Sequence, residues 1–256
     1  MKLALVYSFQ DSDWFSVTKI LNNLIKTYEQ SFDPKDLIHV DFQSGYTEAD
    51  LEDSIAKLDE ADVDKIVFLD HRPNPTLFLT QLGRARIEKY QEIIIHSYGD
   101  FTLDFHHWGN FGYLMKGINV KFICASEKQK KLVSNLISEE FPVYVCPFPV
   151  SDNEFYYDTS SVDKIRKKHS IKESDTIFLY VGRLSTQKRN LETIETFLKL
   201  RHDGSLDESH KFFLAGGFDL LGLHYLREGL LLGEYFRRIQ QILEKYPKEI
   251  QDSVVL

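Results

Sequence analysis

Short apolar runs alternate with amphipathic stretches along this chain. Six runs stand out: KLALVYS (2–8), LIHVDF (37–42), KIVFLD (65–70), EIIIHSY (92–98), KFICAS (121–126) and VYVCPF (143–148). These runs are short, almost continuously apolar and carry β-branched or aromatic residues, and each predicts a β-strand. Between them, WFSVTKILNNLIKTY, EADLEDSIAKLDEA, TLFLTQLGRARIEKY and EKQKKLVSNLISEEF place apolar residues three and four apart, the spacing of one helix face. The strands are almost continuously apolar, so they read as buried on both faces. A parallel sheet covered by helices has that signature.

Residues 1–150 are therefore expected to form one complete Rossmann-like α/β domain. PFPVSDNEFYYDTSSVD then brings two prolines and a run of polar, turn-forming residues. Residues 151–172 read as an interdomain connection. A second series follows: TIFLYVGRL, a helix from about Asn190 to Leu200, HKFFLAGGF, a helix from about Gly233 to Tyr246, and SVVL. Two βα steps and the start of a third strand make residues 173–256 the first half of a second Rossmann-like domain.

Composition narrows the function classes. Of 256 residues, 43% are hydrophobic and 27% charged, an ordinary globular balance. The formal net charge of −8 argues against sequence-independent binding to nucleic acid. The basic runs KQKK (128–131) and KIRKKH (164–169) read as solvated helix faces. Cys124 and Cys146 lie in strand-like runs without CxxC spacing, so no zinc or redox motif is indicated. The opening MKLALVYSFQDSD turns acidic too soon for a signal peptide, and no run approaches the roughly 20 apolar residues of a membrane span. A cytoplasmic protein is expected. The first helix carries only Lys19 and Lys26 as cations, so membrane association is not predicted.

The chemistry concentrates at FLYVGRLSTQKRN, where a strand ends and a helix begins. Ligands of open parallel sheets bind at the carboxyl ends of the strands. Gly182 lets a ligand or another backbone approach closely. Arg183 offers a planar fork suited to phosphate oxygens, and Lys188 adds a point charge. The helix starting near Asn190 contributes N-terminal amides with positive partial charge. Together these predict a diphosphate site; the alternative is a surface loop that happens to be basic.

VGRLSTQKRN resembles the GRL-x-x-x-K signature of retaining glycosyltransferases of family 4, enzymes of the two-domain GT-B fold. Other segments match that family in order. CASEKQKKLV resembles its "v-S-e-x-x-k-x-x-l" helix start, and VYVCPFPVSDNEFYY its crossover, with Pro147, Val150 and Phe155 in matching places. FLAGGFD resembles the second strand of its nucleotide-binding domain. The resemblance implies a GT-B-like fold and transfer of a sugar, with retention, from a nucleotide-diphosphate sugar to a glycan, glycoconjugate or lipid-linked acceptor in polysaccharide biosynthesis. It implies no metal and no cofactor beyond the nucleotide sugar. Gly182, Arg183, Lys188 and Gly216 fall on its donor side, with Arg183 and Lys188 stabilising the leaving diphosphate. His96 matches a family histidine that faces the donor sugar, which makes it a catalytic candidate; the alternative is a core histidine at a strand end. His71, Gly99 and Asp100 fall on the acceptor side. His106 and His107, as neighbours on a helix, are expected to point different ways and to hold no metal.

Two features depart from the family pattern. The loop after the first strand, SFQDSDWFS, has no glycine, although Asp13 is placed to cap the helix. Nothing after Gly182 carries the Glu-x7-Glu element that binds ribose and donor sugar in the family. The chain is accordingly expected to be truncated within its second domain and to be inactive or nearly so by itself. A non-catalytic sugar-nucleotide or phosphosugar binder is the alternative. A dinucleotide-dependent enzyme is disfavoured, because no G-x-G-x-x-G follows the first strand.

Overall fold

The computed structural model describes residues 1–9, 15–42, 47–70, 72–99, 105–150, 156–185, 188–217 and 232–256. The chain divides into two compact units, Met1–Tyr156 and Tyr157–Leu256.

The first unit is built on six parallel strands: β1 (Leu3–Tyr7), β2 (Leu37–Asp41), β3 (Lys65–Phe68), β4 (Glu92–Ser97), β5 (Val120–Cys124) and β6 (Val143–Val145). They lie in the order β2-β1-β3-β4-β5-β6. Its helices are α1 (Phe15–Ser31), α2 (Glu48–Ala61), α3 (Pro75–Leu82), α4 (Arg84–Ile87), α5 (Phe111–Leu114) and α6 (Glu127–Leu136). Successive strand residues point to opposite faces, and both faces are covered. Leu3, Leu5, Tyr7, Val67 and Leu69 join Leu21 and Leu24 of α1 in one cluster. Ala4, Val6, Ile66 and Phe68 join Leu51 and Leu58 of α2 and Phe78 of α3 in the other. All five residues of β1 are buried. Each buried Leu or Val among them contributes about 1.5–3 kcal/mol from burial alone.

Local chemistry sets the helix limits. Thr47 and Asp50 form a reciprocal capping box at the start of α2. Asn74 accepts from the amides of Thr76 and Leu77 ahead of Pro75, the first residue of α3. The segment TLFLTQLGRARIEKY, expected as one helix, is two: Gly83 sits between α3 and α4 with φ 80°. That conformation suits glycine and ends a helix, so the apolar spacing runs on while the backbone does not.

A charged cluster closes the amino end of the sheet. Glu92 begins β4 and is buried; it pairs with Lys65 at 3.0 Å and with Lys121. Burial opposes its charge, but the two lysine hydrogen bonds outweigh burial and hold its carboxyl below the usual range.

The second unit opens within the stretch expected as a connection. Helix α7 (Thr159–Lys168) occupies it, capped by Asp158, whose carboxylate accepts from the Ser160 amide. The turn-forming residues of DTSS thus start a helix rather than prolong a linker. Strands β7 (Thr176–Val181), β8 (His210–Ala215) and β9 (Val254–Val255) form a parallel sheet in that order. Helices α8 (Asn190–His202), α9 (Leu232–Leu243) and α10 (Lys248–Gln251) complete the unit. Ile194, Phe197, Leu198, Phe212, Leu214, Ile239 and Ile250 make its core. The other face is covered only in part: His169 packs edge-on to Phe213, while Leu179 and Val181 are 64% and 73% exposed. No described helix is long and apolar enough to cross a membrane.

Candidate functional site: the loop between β7 and α8

The pairing of β7 with β8 runs on past both strands. The Gly182 amide donates to the Ala215 carbonyl at 2.9 Å, and the Leu184 amide donates to the Gly217 carbonyl at 2.8 Å. The two loops therefore leave the sheet side by side. Their backbones are so close that a Cβ on Gly216 would lie 1.9 Å from the Gly182 carbonyl oxygen. Only glycine fits at Gly216. A Cβ on Gly182 would press on the Tyr180 ring at 3.2 Å.

Beyond Gly182 several described loop residues are held in place. Leu184 is buried and joins the core with Ile194 and Phe212. The Ser185 amide donates to Asn190 Oδ1 at 2.8 Å, and the Lys188 amide donates to the Ser185 carbonyl at 3.0 Å. The Tyr180 hydroxyl reaches the Lys188 carbonyl at 3.3 Å. Residues 186–187 lie outside the described residues. Arg183 is partly exposed and Lys188 exposed, both on this braced loop at the carboxyl end of β7.

The start of α8 adds to the positive character. Arg189, at φ 54°, precedes the helix, and among the described residues no side chain caps its first turn. The first amides of a helix need acceptors, and an anion supplies them. Arg189 itself is engaged with Glu192 at 3.6 Å. Arg183 and Lys188 thus stand on one loop just before α8, within a framework of backbone hydrogen bonds.

His96 has a different setting. It lies in β4 on the α1 face and is 4% exposed. Tyr28 of α1 meets its Nε2 at 2.9 Å, and the two rings sit edge to face. Nδ1 has no hydrogen-bond partner among the described residues. Burial lowers its pKa to about 4, with the Asp70 charge opposing, so the ring is neutral at pH 7. Within its unit His96 is a core residue and does not open to solvent.

On the acceptor side, Gly99 is described and lies half-buried, whereas His71 and Asp100 lie outside the described residues, as does Asp13. Gln129 of α6 ties this region together. Its Nε2 donates to the Tyr98 and Gly99 carbonyls at 2.9 and 3.4 Å, and its Oε1 accepts from the Ala125 amide at 3.0 Å. The expectation for His106 and His107 is corrected. Their rings are 3.9 Å apart, because both belong to a tight 3-10 turn and the exposed rings pack on each other. Among the described residues no group of three or more His, Cys, Asp or Glu is placed to hold a metal.

Sequence reading missed Asn190 as a loop acceptor, Tyr235 as its second donor and Gln129. For Gln129 a signal existed: Ser126-Glu-Lys-Gln129 has capping-box spacing, and Ser126 does accept from the Gln129 amide at 3.3 Å. Asn190 and Tyr235 are 45 residues apart, and no local pattern joins them.

No protein-family model matches the chain, and no curated protein matches it. Solved structures do. Anabaena HepE in complex with UDP aligns over 98% of this chain and 71% of its own, with a TM-score of 0.63 and 13% identity. HepE has also been solved with UDP-glucose. A glycosyltransferase from Rickettsia africae aligns over 98% of this chain and 69% of its own, at TM-score 0.60 and 13% identity. Sucrose-phosphate synthase from Thermosynechococcus elongatus aligns over 100% of this chain and 69% of its own, at 0.56 and 14%. At such identities the likeness is one of fold. The fold is α/β and GT-B-like, a complete Rossmann-like unit followed by the first half of a second.

Two outcomes follow from this geometry. Gly216→Ala forces Gly182 away and should destabilise the second unit by about 3 kcal/mol, read from its urea unfolding midpoint. His96 binds a proton near 6.5 when unfolded but only near 4 when folded. The unfolded state therefore takes up more protons between these values, and stability present above pH 6.5 falls by about 3 kcal/mol toward pH 4. His96→Phe should flatten that limb. An unchanged slope in urea unfolding between pH 7 and pH 4 would assign it to other groups.

Proposed function

We propose that this chain carries the donor-binding elements of a glycosyltransferase that takes sugar from a nucleotide-diphosphate sugar. The observation that carries the reading is the braced loop Gly182–Asn190 at the carboxyl end of β7, with Arg183 and Lys188 on it and a helix start behind it that no described side chain caps. Solved chains of the same fold bind UDP and UDP-glucose, which supports a nucleoside-diphosphate ligand.

In this reading Arg183, Lys188 and the α8 amides meet the diphosphate. When the bond from the sugar's anomeric carbon to the phosphate oxygen breaks, the electron pair leaves with the diphosphate. The two cations stabilise that charge more in the transition state than in the bound substrate. Gly182 and Gly216 let the two loop backbones run side by side, which sets the path of the loop that carries the cations. By the family pattern His71, Gly99 and Asp100 are the acceptor-side residues, the acceptor is a glycan or glycoconjugate, and transfer retains configuration. The burial of His96 against Tyr28 favours the core-histidine alternative over contact with the donor sugar.

One observation favours a binding role for these 256 residues taken alone. The sequence after Gly182 holds no Glu-x7-Glu element to clasp ribose and sugar. We therefore expect UDP binding without appreciable sugar transfer or UDP-glucose hydrolysis by this chain. Turnover within tenfold of HepE assayed alongside would overturn that expectation.

Calorimetric titration with UDP tests the site. Charged hydrogen bonds are worth about 1.5–3 kcal/mol, so Arg183→Ala and Lys188→Ala should each weaken UDP at least tenfold. Arg183→Glu should abolish binding. Unchanged affinity in all three would remove the diphosphate from this loop.

A further inference from the structure

Asn190 is fully buried at the first position of α8, yet it is polar. Its side-chain oxygen accepts twice, from the Ser185 amide at 2.8 Å and from the Tyr235 hydroxyl of α9 at 3.0 Å. A backbone amide only donates, so the carboxamide must turn its oxygen toward Ser185. Its Nδ2 has no partner among the described residues, so the orientation holds at the cost of an unpaired donor. Ser185 Oγ is likewise buried and unpaired among the described residues, so the loop is gripped by its backbone at this point.

The grip falls between the two cations. Ser185 lies two residues after Arg183 and three before Lys188. The same residue receives the Lys188 amide at its carbonyl. One side chain thus fixes the turn that sets where both cations stand. Tyr235 backs it from the core: the tyrosine is buried, and burial pushes its hydroxyl up to about 12, which keeps it a proton donor.

We propose that Asn190 is a positioning residue for anion binding: its carboxamide latches Ser185 and thereby presents Arg183 and Lys188 together to a diphosphate. The proposal rests on the diphosphate reading of the loop. Arg183 and Lys188 make the contact; Asn190 acts through them.

The probe is UDP, titrated calorimetrically into the whole chain, with folding of each variant checked by circular dichroism and cooperative unfolding. Asn190→Leu keeps the volume and removes the acceptor. It should weaken UDP at least tenfold. In an Arg183→Ala background the same change should cost clearly less than in the parent, because there is one cation fewer left to present. A residue that merely stabilises the fold gives equal factors in both backgrounds. Tyr235→Phe removes one hydrogen bond but leaves Ser185 latched, and should keep UDP affinity within threefold while lowering stability.

Hydrogen exchange in the parent protein serves even if Asn190→Leu fails to fold. The latch requires the Ser185 amide to be protected before any ligand is added. Exchange of that amide at the rate of an open loop overturns the latch. So does a UDP affinity within threefold of the parent in Asn190→Leu, or full multiplicativity with Arg183→Ala. If Arg183→Ala and Lys188→Ala leave UDP affinity unchanged, or the parent does not bind UDP, the diphosphate reading falls and the latch falls with it.

Discussion

The close approach of Gly182 to Gly216 is the constraint on which the candidate site depends. Parallel strands normally diverge into separate loops beyond their last ladder hydrogen bond. Here two further bonds, from Gly182 and Leu184, keep the loops after β7 and β8 together. That is possible only because position 216 has no side chain where the Gly182 carbonyl oxygen sits. Everything downstream inherits the arrangement. Leu184 is steered into the core, Ser185 comes within reach of Asn190, and the chain turns back into α8. Arg183 is left at the carboxyl end of β7, where an open sheet takes its ligands.

The first unit shows how strand parity decides the fate of a polar residue. In β4, Ile93 and Ile95 face the cluster that holds Phe68 and Phe78, so Ile94 and His96 must face α1. On the α1 face Tyr28 presents its hydroxyl, and His96 sits against it. A histidine so placed is held neutral by burial. Glu92 begins the same strand and meets the opposite solution. It keeps its charge because two lysines from neighbouring strands offset the loss of water. Both outcomes depend on partners that parallel pairing brings from distant segments.

That dependence explains what was legible in the sequence. Strands and most helices followed from apolar spacing, because the period of that spacing reports which face each element buries. The strand-loop-helix junction that carries Gly182, Arg183 and Lys188 was legible because its signals are local to one stretch of chain. Gly83 was visible but not weighed against an apolar pattern that runs through it. The burial of His96 was legible only as one of two alternatives, a donor-facing or a core histidine at a strand end, and the choice depends on Tyr28 of α1, which no local pattern brings to it. Asn190 was taken as a helix start, correctly, but its acceptor role needs Tyr235, which reaches it only through packing of α9 on α8. The ring contact of His106 with His107 belongs to the same class, because it depends on the turn type rather than on the order of residues.

The net charge gives this framework its weight. With a formal charge of −8, the chain draws no anion from a distance, and salt screens fields beyond about 8 Å at physiological strength. A diphosphate held at Gly182–Asn190 must therefore be recognised at contact. Two cations and a few amides suffice only if they converge, since a charge displaced by a few ångströms interacts mainly with water. Arg189, next in sequence to Lys188, illustrates this: it is engaged with Glu192 despite carrying the same charge. In the diphosphate reading local order substitutes for charge density, so that a buried asparagine and a glycine contact bear on the site as directly as the arginine does.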